Sequence, residues 1–431
     1  MDKREEQVPL MRVLGLPEVV ISGVGVILGA GIYALIGEAA ATSGNALWLS
    51  FLLSASIAAF TGLSYMELSS MFPEASAEYE YTRQSFGCTL AFITGTLVIL
   101  SGIIGASTVA LGFAGYFNGF TGADLYTVAI FLIISLAAVL FIGIKQSAYI
   151  AIIFTFIESA GLVGIIAIAL PHIGSVNYLE MPQGISGVFI AASLIFFAYQ
   201  GFEEIVKLSE ETVSPEKNIP KGLLLALIFT IILYILVSIS IVSIGGWEAV
   251  AGSPNPFAKI AGSVFPEGYL IFTFIALFAT ANTVLLMMLS ASRIMYGMAK
   301  KGRLPQAVSY VSKSRRTPVV AIVIVTVLSI LFLSAGGIKD VAFITNFTLF
   351  ATFAIINASV IVLRIIMPDS KRPFKVPFSI LKVPVIPLLG IMTCLFFLFQ
   401  MDMSIILIGV GIIIISATIN VLYQTSLKRK G

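Results

Sequence analysis

Two cysteines and one histidine in 431 residues leave almost nothing from which to build a metal centre or a nucleophilic relay. Cys88 begins one apolar run and Cys394 lies inside another, with no CxxC spacing, so neither a disulfide nor a redox pair is expected. His172 stands alone, and zinc sites, paired haem ligands and Ser/His or Cys/His relays all need more. A G-x-x-x-x-G-K-[ST] phosphate loop is missing, which argues against ATP-driven pumping by this chain alone. Charge is scarce as well, 11% of residues against about 25% in a soluble domain. With 58% hydrophobic residues the chain is expected to be a polytopic membrane protein, and its net charge of +3 reflects topology, not nucleic acid.

The apolar residues fall into runs of the length a bilayer requires, about 20 per helical span. Twelve are read, near 17–41, 46–68, 88–117, 125–143, 149–170, 187–207, 222–245, 269–298, 318–335, 340–366, 383–400 and 403–423. Lysine and arginine test this reading, because cytoplasmic loops retain positive charge. With an even number of spans, all but Lys259 and Lys339 of the 25 Lys and Arg residues fall on the cytoplasmic side, which places both termini inside. The opening Met1-Asp2-Lys3-Arg4-Glu5-Glu6 lacks the short apolar core and cleavage site of a leader, so the first span is expected to be retained. Short cytoplasmic tails are expected at 1–11 and 426–431. Lys300-Lys301-Gly302-Arg303 reads as a topogenic loop, with anionic lipid binding as the alternative.

Two of these spans are interrupted. Gly29-Ala30-Gly31 breaks the first, and the sixth is broken around Ala198-Tyr199-Gln200-Gly201. An unpaired backbone polar group in hydrocarbon costs several kcal/mol, so an unwound turn survives only where it faces protein, water or a solute. Matched interruptions in two halves of a chain point to a transporter's substrate site. Five spans is an odd number, so a second five-span copy must enter the membrane from the opposite side. An inverted repeat is therefore expected over 12–170 and 185–367, with 383–425 outside it. Between spans seven and eight, Gly246 to Glu267 contains Pro254, Pro256 and Pro266 and has room for a short surface helix over the site. Gly95, Gly102, Gly105 and Gly112 share one face of span three, suiting tight helix packing or a smooth cavity wall, with Ser101, Ser107 and Thr108 nearby.

Gly29-Ala30-Gly31-Ile32-Tyr33 resembles the Gly-x-Gly-Ile signature of the amino acid–polyamine–organocation superfamily of permeases. Pro73-Glu74-Ala75-Ser76-Ala77-Glu78-Tyr79 is similar to that family's Pro-x-x-Gly-Gly-x-Tyr, with Ser76-Ala77 in place of the glycines. The loop from Glu211 through Ser214-Pro215-Glu216-Lys217-Asn218-Ile219-Pro220-Lys221 matches closely. Arg293 with Met298-Ala299-Lys300-Lys301-Gly302-Arg303-Leu304-Pro305 also resembles the family, although Lys301 replaces a common aspartate, and Arg372-Pro373-Phe374-Lys375-Val376-Pro377 fits before span eleven. The resemblance spans nearly the whole chain. It implies an all-α polytopic fold of twelve helices, a LeuT-like five-plus-five inverted repeat with helices 1 and 6 broken and two helices added. It also implies secondary transport of amino acids or related amines, with no cofactor and no enzymatic activity.

The physical chemistry of the breaks agrees. Unwinding before a half-helix frees amides at its positive dipole end, which suits a carboxylate. That carboxylate is assigned to the amides of Ala30, Gly31 and Ile32 beside Gly29. The freed carbonyls of Ile27, Leu28, Phe197 and Ala198 are assigned to an ammonium, with Ser107, Tyr199 and Gly201 completing the substrate set. Phe196, Phe197, Tyr199 and Phe202 either fill helix interfaces or line and gate the site, and Glu203 follows an acidic position frequent in the family.

An ionisable side chain at bilayer depth requires a partner or a task. Glu158 falls near the middle of span five, where some proton-coupled relatives are known for a lysine. Three roles are open to it: a proton-coupling carboxyl near Thr280, Asn282 or Thr283, a protonated structural group, or a sodium ligand. Glu203 and Glu204 suit the start of a half-helix, while Glu38 and Glu67 read as interfacial. The expected function is proton-coupled uptake of amino acids across the plasma membrane by alternating access. Alternatives are a polyamine or organic amine carrier, an exchanger and, outside this class, a channel or membrane enzyme; oligomeric state is not legible.

Overall fold

The computed structural model describes residues 12–74, 77–142, 144–312, 315, 317–380 and 383–428, with side chains described for all of these except 144–152 and 426–428. The N-terminal tail, Ala75-Ser76 of the loop motif and the last three residues lie outside the described set. Fifteen α-helices follow in order among the described residues: α1 (Leu16–Ile27), α2 (Gly31–Ser43), α3 (Leu47–Met71), α4 (Ala77–Phe86), α5 (Cys88–Thr121), α6 (Leu125–Ile142), α7 (Ile144–Ala169), α8 (Gly184–Ile195), α9 (Pro215–Ser243), α10 (Pro256–Val264), α11 (Gly268–Lys300), α12 (Val319–Phe332), α13 (Ile338–Ile366), α14 (Val385–Leu398) and α15 (Met403–Lys428). A two-residue hairpin, β1 (Ser379–Ile380) with β2 (Val383–Pro384), precedes α14.

Nine helical stretches among the described residues are long and apolar enough to cross a membrane, and Leu16–Ile27, Val319–Ala335 and Val385–Leu398 are shorter apolar helices. The fold is that of an all-α polytopic membrane protein. Its outer surface stays apolar, as at Phe131, Phe156, Ile232 and Leu422, because lipid tails make no demand for polarity.

Both expected interruptions are present, with shifted edges. Helix ends at Ile27, Leu28 to Ala30 are unwound, and Gly31 already opens α2. The second break is longer than expected: α8 stops at Ile195, a 3₁₀ turn covers Phe196–Tyr199, and Gln200 is extended. Gly201 then takes φ +119°, a conformation costly for any residue with a Cβ, and a Cβ there would sit 2.7 Å from Val26 O. A 3₁₀ stretch, Phe202–Glu211, carries the chain away where an α-helix was expected. Helix α9 starts at Pro215, seven residues earlier than the apolar run, because Pro215 at the first turn is preorganised for helix entry. The surface helix expected between spans seven and eight is α10.

Helix ends inside a membrane leave carbonyls without intrahelical donors. Here side chains from other helices supply them. Asn346 of α13 donates to Ser193 O and Leu194 O at 2.7 and 2.9 Å, and Ser54 of α3 donates to Ala192 O at 2.5 Å, closing the end of α8. Glu67, read as interfacial, is instead 1% exposed: it pairs with Arg364 at 2.5 Å and Arg372 at 3.2 Å and accepts from Val376 N at 2.8 Å. That cluster fastens α3 and α13 to the segment before the hairpin.

Candidate substrate-binding site

The two breaks touch each other. Gly31 lies so close to the second break that a Cβ on it would meet Ala198 Cα at 2.6 Å. No described residue accepts a hydrogen bond from the amides of Gly31, Ile32 or Tyr33, which form the first turn of α2. These free donors, with the dipole of α2 behind them, make a cradle for an anion. The amide of Ala30 is already engaged, donating to Thr283 Oγ1 at 2.7 Å, so of the three amides named from the sequence those of Gly31 and Ile32 remain without a partner among the described residues.

The carbonyl side is also partly engaged. Tyr234 of α9, which sequence reading did not single out, points its hydroxyl at Ile27 O (2.8 Å) and Ala198 O (3.1 Å). Phe197 O accepts from Gln200 N at 3.3 Å. The available signal for Tyr234 was its being the only tyrosine between Pro215 and Ser243.

A cavity of about 560 Å³ opens from the breaks. Its inner end is lined by Val26, Ile27, Gly29, Gly31, Phe197, Ala198 and Thr283, and Gly95, Val98, Ser101 and Gly102 of α5 form one wall. Of the α5 glycines, Gly95 and Gly102 line the cavity while Gly105 and Gly112 pack against Met287 and Ala34, and Gly102 also packs where a Cβ would meet Ala291 at 3.1 Å. Charged groups line the route towards Lys301: Glu203, Glu204, Lys207, Glu211, Arg293 and Glu78. Glu204 pairs with Lys207 at 2.5 Å and accepts from Ser290, while Glu203 Oε2 accepts from Gly201 N at 2.9 Å and so caps the second break. Burial pushes the Glu78 carboxyl above the usual carboxylate range, with Lys207 opposing the shift.

The other end is sealed. Tyr33 packs on Phe257 of α10 with ring centroids 4.5 Å apart, and Tyr116 donates to Tyr33 O at 3.0 Å. Gly252 N reaches Gly37 O at 3.1 Å, so the segment leading into α10 lies backbone to backbone on α2.

Several residues assigned from sequence fall outside the cavity. The Ser107 hydroxyl lies 2.7 Å from Ser329 O and joins α5 to α12. Tyr199 is buried against Tyr234 and donates to Phe51 O at 3.1 Å; Phe202 packs on Tyr65 and Phe353. Thr280 spends its hydroxyl on Ala276 O at 2.6 Å within its own helix. Glu158 is fully buried, and neither carboxyl oxygen has a hydrogen-bond partner among the described residues, nor has Asn282 Oδ1. Asn282 Nδ2 donates to Thr155 Oγ1 at 3.3 Å, and Tyr33 OH to the main-chain oxygen of Glu158 at 2.7 Å.

A family model described as amino acid permease matches residues 14–424. The chain belongs to the amino acid permease family. The permease is 32% identical to a branched-chain amino acid permease of Bacillus subtilis, over 91% of this chain and 88% of that one. It is 29% identical to a methylthioribose transporter of the same organism, over 91% and 89%. A cationic amino acid transporter of Arabidopsis thaliana is 28% identical over 84% of the permease and 64% of its own length. The protein is thus a multi-pass amino acid transporter of the amino acid–polyamine–organocation superfamily and not an enzyme.

Proposed function

We propose that this permease carries neutral amino acids by alternating access through a five-plus-five inverted repeat, in the plasma membrane with both termini cytoplasmic. The observation that supports it is the cavity of about 560 Å³ running from the broken turns to the Lys301 side, lined at its inner end by Gly31, the first residue of the turn whose amides have no partner among the described residues. Positive charge gathers on that side, so the site is open inward here. The α-carboxylate sits on the amides of Gly31, Ile32 and Tyr33, and the ammonium on the carbonyls of the breaks. An apolar side chain meets Val26, Val98, Phe197, Leu286 and Met287.

We assign proton coupling to Glu158, since a fully buried carboxyl whose oxygens meet no hydrogen-bond donor among the described residues is tolerated there when protonated and becomes a costly charge when it is not. A second reading, a cationic amino acid as substrate, is favoured by the carboxylates of Glu203, Glu204 and Glu211 along the cavity. Uptake of a mixed amino acid panel into proteoliposomes with an imposed pH gradient decides. Leucine or valine should enter in preference to arginine, faster with the gradient, and Glu158→Gln should lose the gradient dependence. Gradient-driven uptake left whole in that variant removes Glu158 from the coupling role.

A further inference from the structure

The hydroxyl of Tyr234, which stands outside the cavity lining, reaches the same two carbonyls that are assigned to the ammonium. It faces Ile27 O at 2.8 Å and Ala198 O at 3.1 Å, one acceptor from each interrupted helix. The side chain is fully buried, its ring packed edge-on against Phe51 and Tyr199 at 5.8 and 5.3 Å between centroids. Phe51 is fixed in turn, because its carbonyl accepts from Tyr199 OH. A phenol has one proton to give, and here two partly negative oxygens flank it. Without that proton the two carbonyl oxygens would lose the one buried side-chain donor that links the interrupted helices, and a buried acceptor left unpaired is costly.

A carrier that performs net uptake has to return empty. The loaded carrier moves with an ammonium between its two broken turns; the empty carrier needs another donor there. We propose that Tyr234 is a built-in substitute for the substrate's ammonium, a positioning residue that holds the two broken turns together so that the unloaded permease can reorient. The inference rests on the alternating-access reading. When the substrate arrives, its ammonium has three donors and each carbonyl a second lone pair, so amine and hydroxyl share the acceptors and the turns keep their spacing. The hydroxyl is thus needed chiefly on the empty limb of the cycle.

The test compares two modes of transport by the purified permease in liposomes. Net uptake of leucine into leucine-free vesicles includes the empty return; counterflow, with leucine on both sides, does not. Tyr234→Phe should lower net uptake at least 10-fold while counterflow stays within 2-fold of the unaltered protein. In detergent, saturating leucine should raise the Tm of Tyr234→Phe by more than it raises that of the unaltered permease, because the ammonium is then the main donor to both carbonyls. Equal loss in both modes, or net uptake left whole, overturns the proposal. Absence of counterflow in the unaltered permease would instead defeat the alternating-access reading. Should Tyr234→Phe not be recovered folded, Tyr234→Leu, which also lacks a donor, must show the same split between modes, and an even loss sinks the idea.

Discussion

Gly31 and Ala198 meet backbone to backbone: a Cβ on Gly31 would stand 2.6 Å from Ala198 Cα and 3.0 Å from its amide nitrogen. Main chain cannot step aside as a side-chain end can. Gly31→Ala should therefore cost about 1–3 kcal/mol in overpacking and separate the two breaks. The expected outcome is at least a 10-fold loss of leucine affinity by equilibrium binding. Gly29→Ala is the contrast, since its Cβ would meet the Thr283 side chain, nearest at Oγ1 at 2.9 Å, and no backbone among its nearest neighbours, so the Gly31 variant should be the more damaged of the two.

Thr283 holds the unwound turn from the other side by accepting from Ala30 N at 2.7 Å. Thr283→Val keeps the shape and removes the acceptor, leaving a buried amide unpaired at about 1–3 kcal/mol. The Tm in detergent should fall, and Thr283→Ser should recover most of the loss. Equal Tm values for the serine and valine variants would show that the hydroxyl does not hold the turn.

Far from the cavity, Glu67 lies between Arg364 and Arg372 with its carboxylate 1% exposed. Glu67→Ala strands two buried guanidinium groups and should destabilise the fold by about 3–5 kcal/mol. Thermal denaturation followed by tryptophan fluorescence should show that drop. Replacing Glu67 and Arg364 together by methionine should cost less than the single change, and a larger cost for the pair would contradict the ion-pair reading.

Gly297 lines the cavity and has open space where a Cβ would stand, whereas Val250 is buried under the sealed end. In a Cys88→Ser/Cys394→Ser background, Gly297→Cys should react with a membrane-impermeant maleimide supplied from the Lys301 side. Val250→Cys should resist reagent from either side while this state dominates. Labelling of position 297 solely from the opposite face would reverse the assigned orientation.

The residue sequence alone determined that the chain is helical and polytopic and which two of its apolar runs unwind, because both follow from local chemistry. Long apolar runs must be helical in hydrocarbon, and Gly29, Gly31 and Gly201 mark the places where helix can stop. It also put an acidic pair, Glu203 and Glu204, at the second break, and the structure decides that Glu203 caps it by accepting from Gly201 N. Which donors and acceptors remain free for substrate was decided only in three dimensions. The partner of Ala30 is Thr283, 253 positions away, and that of Ile27 is Tyr234, 207 away; Ser107 turned to Ser329 instead of the cavity. In a span that is apolar on every side, no hydrophobic periodicity says which face meets a neighbour, so the polar contacts between helices are settled by packing and not by pattern.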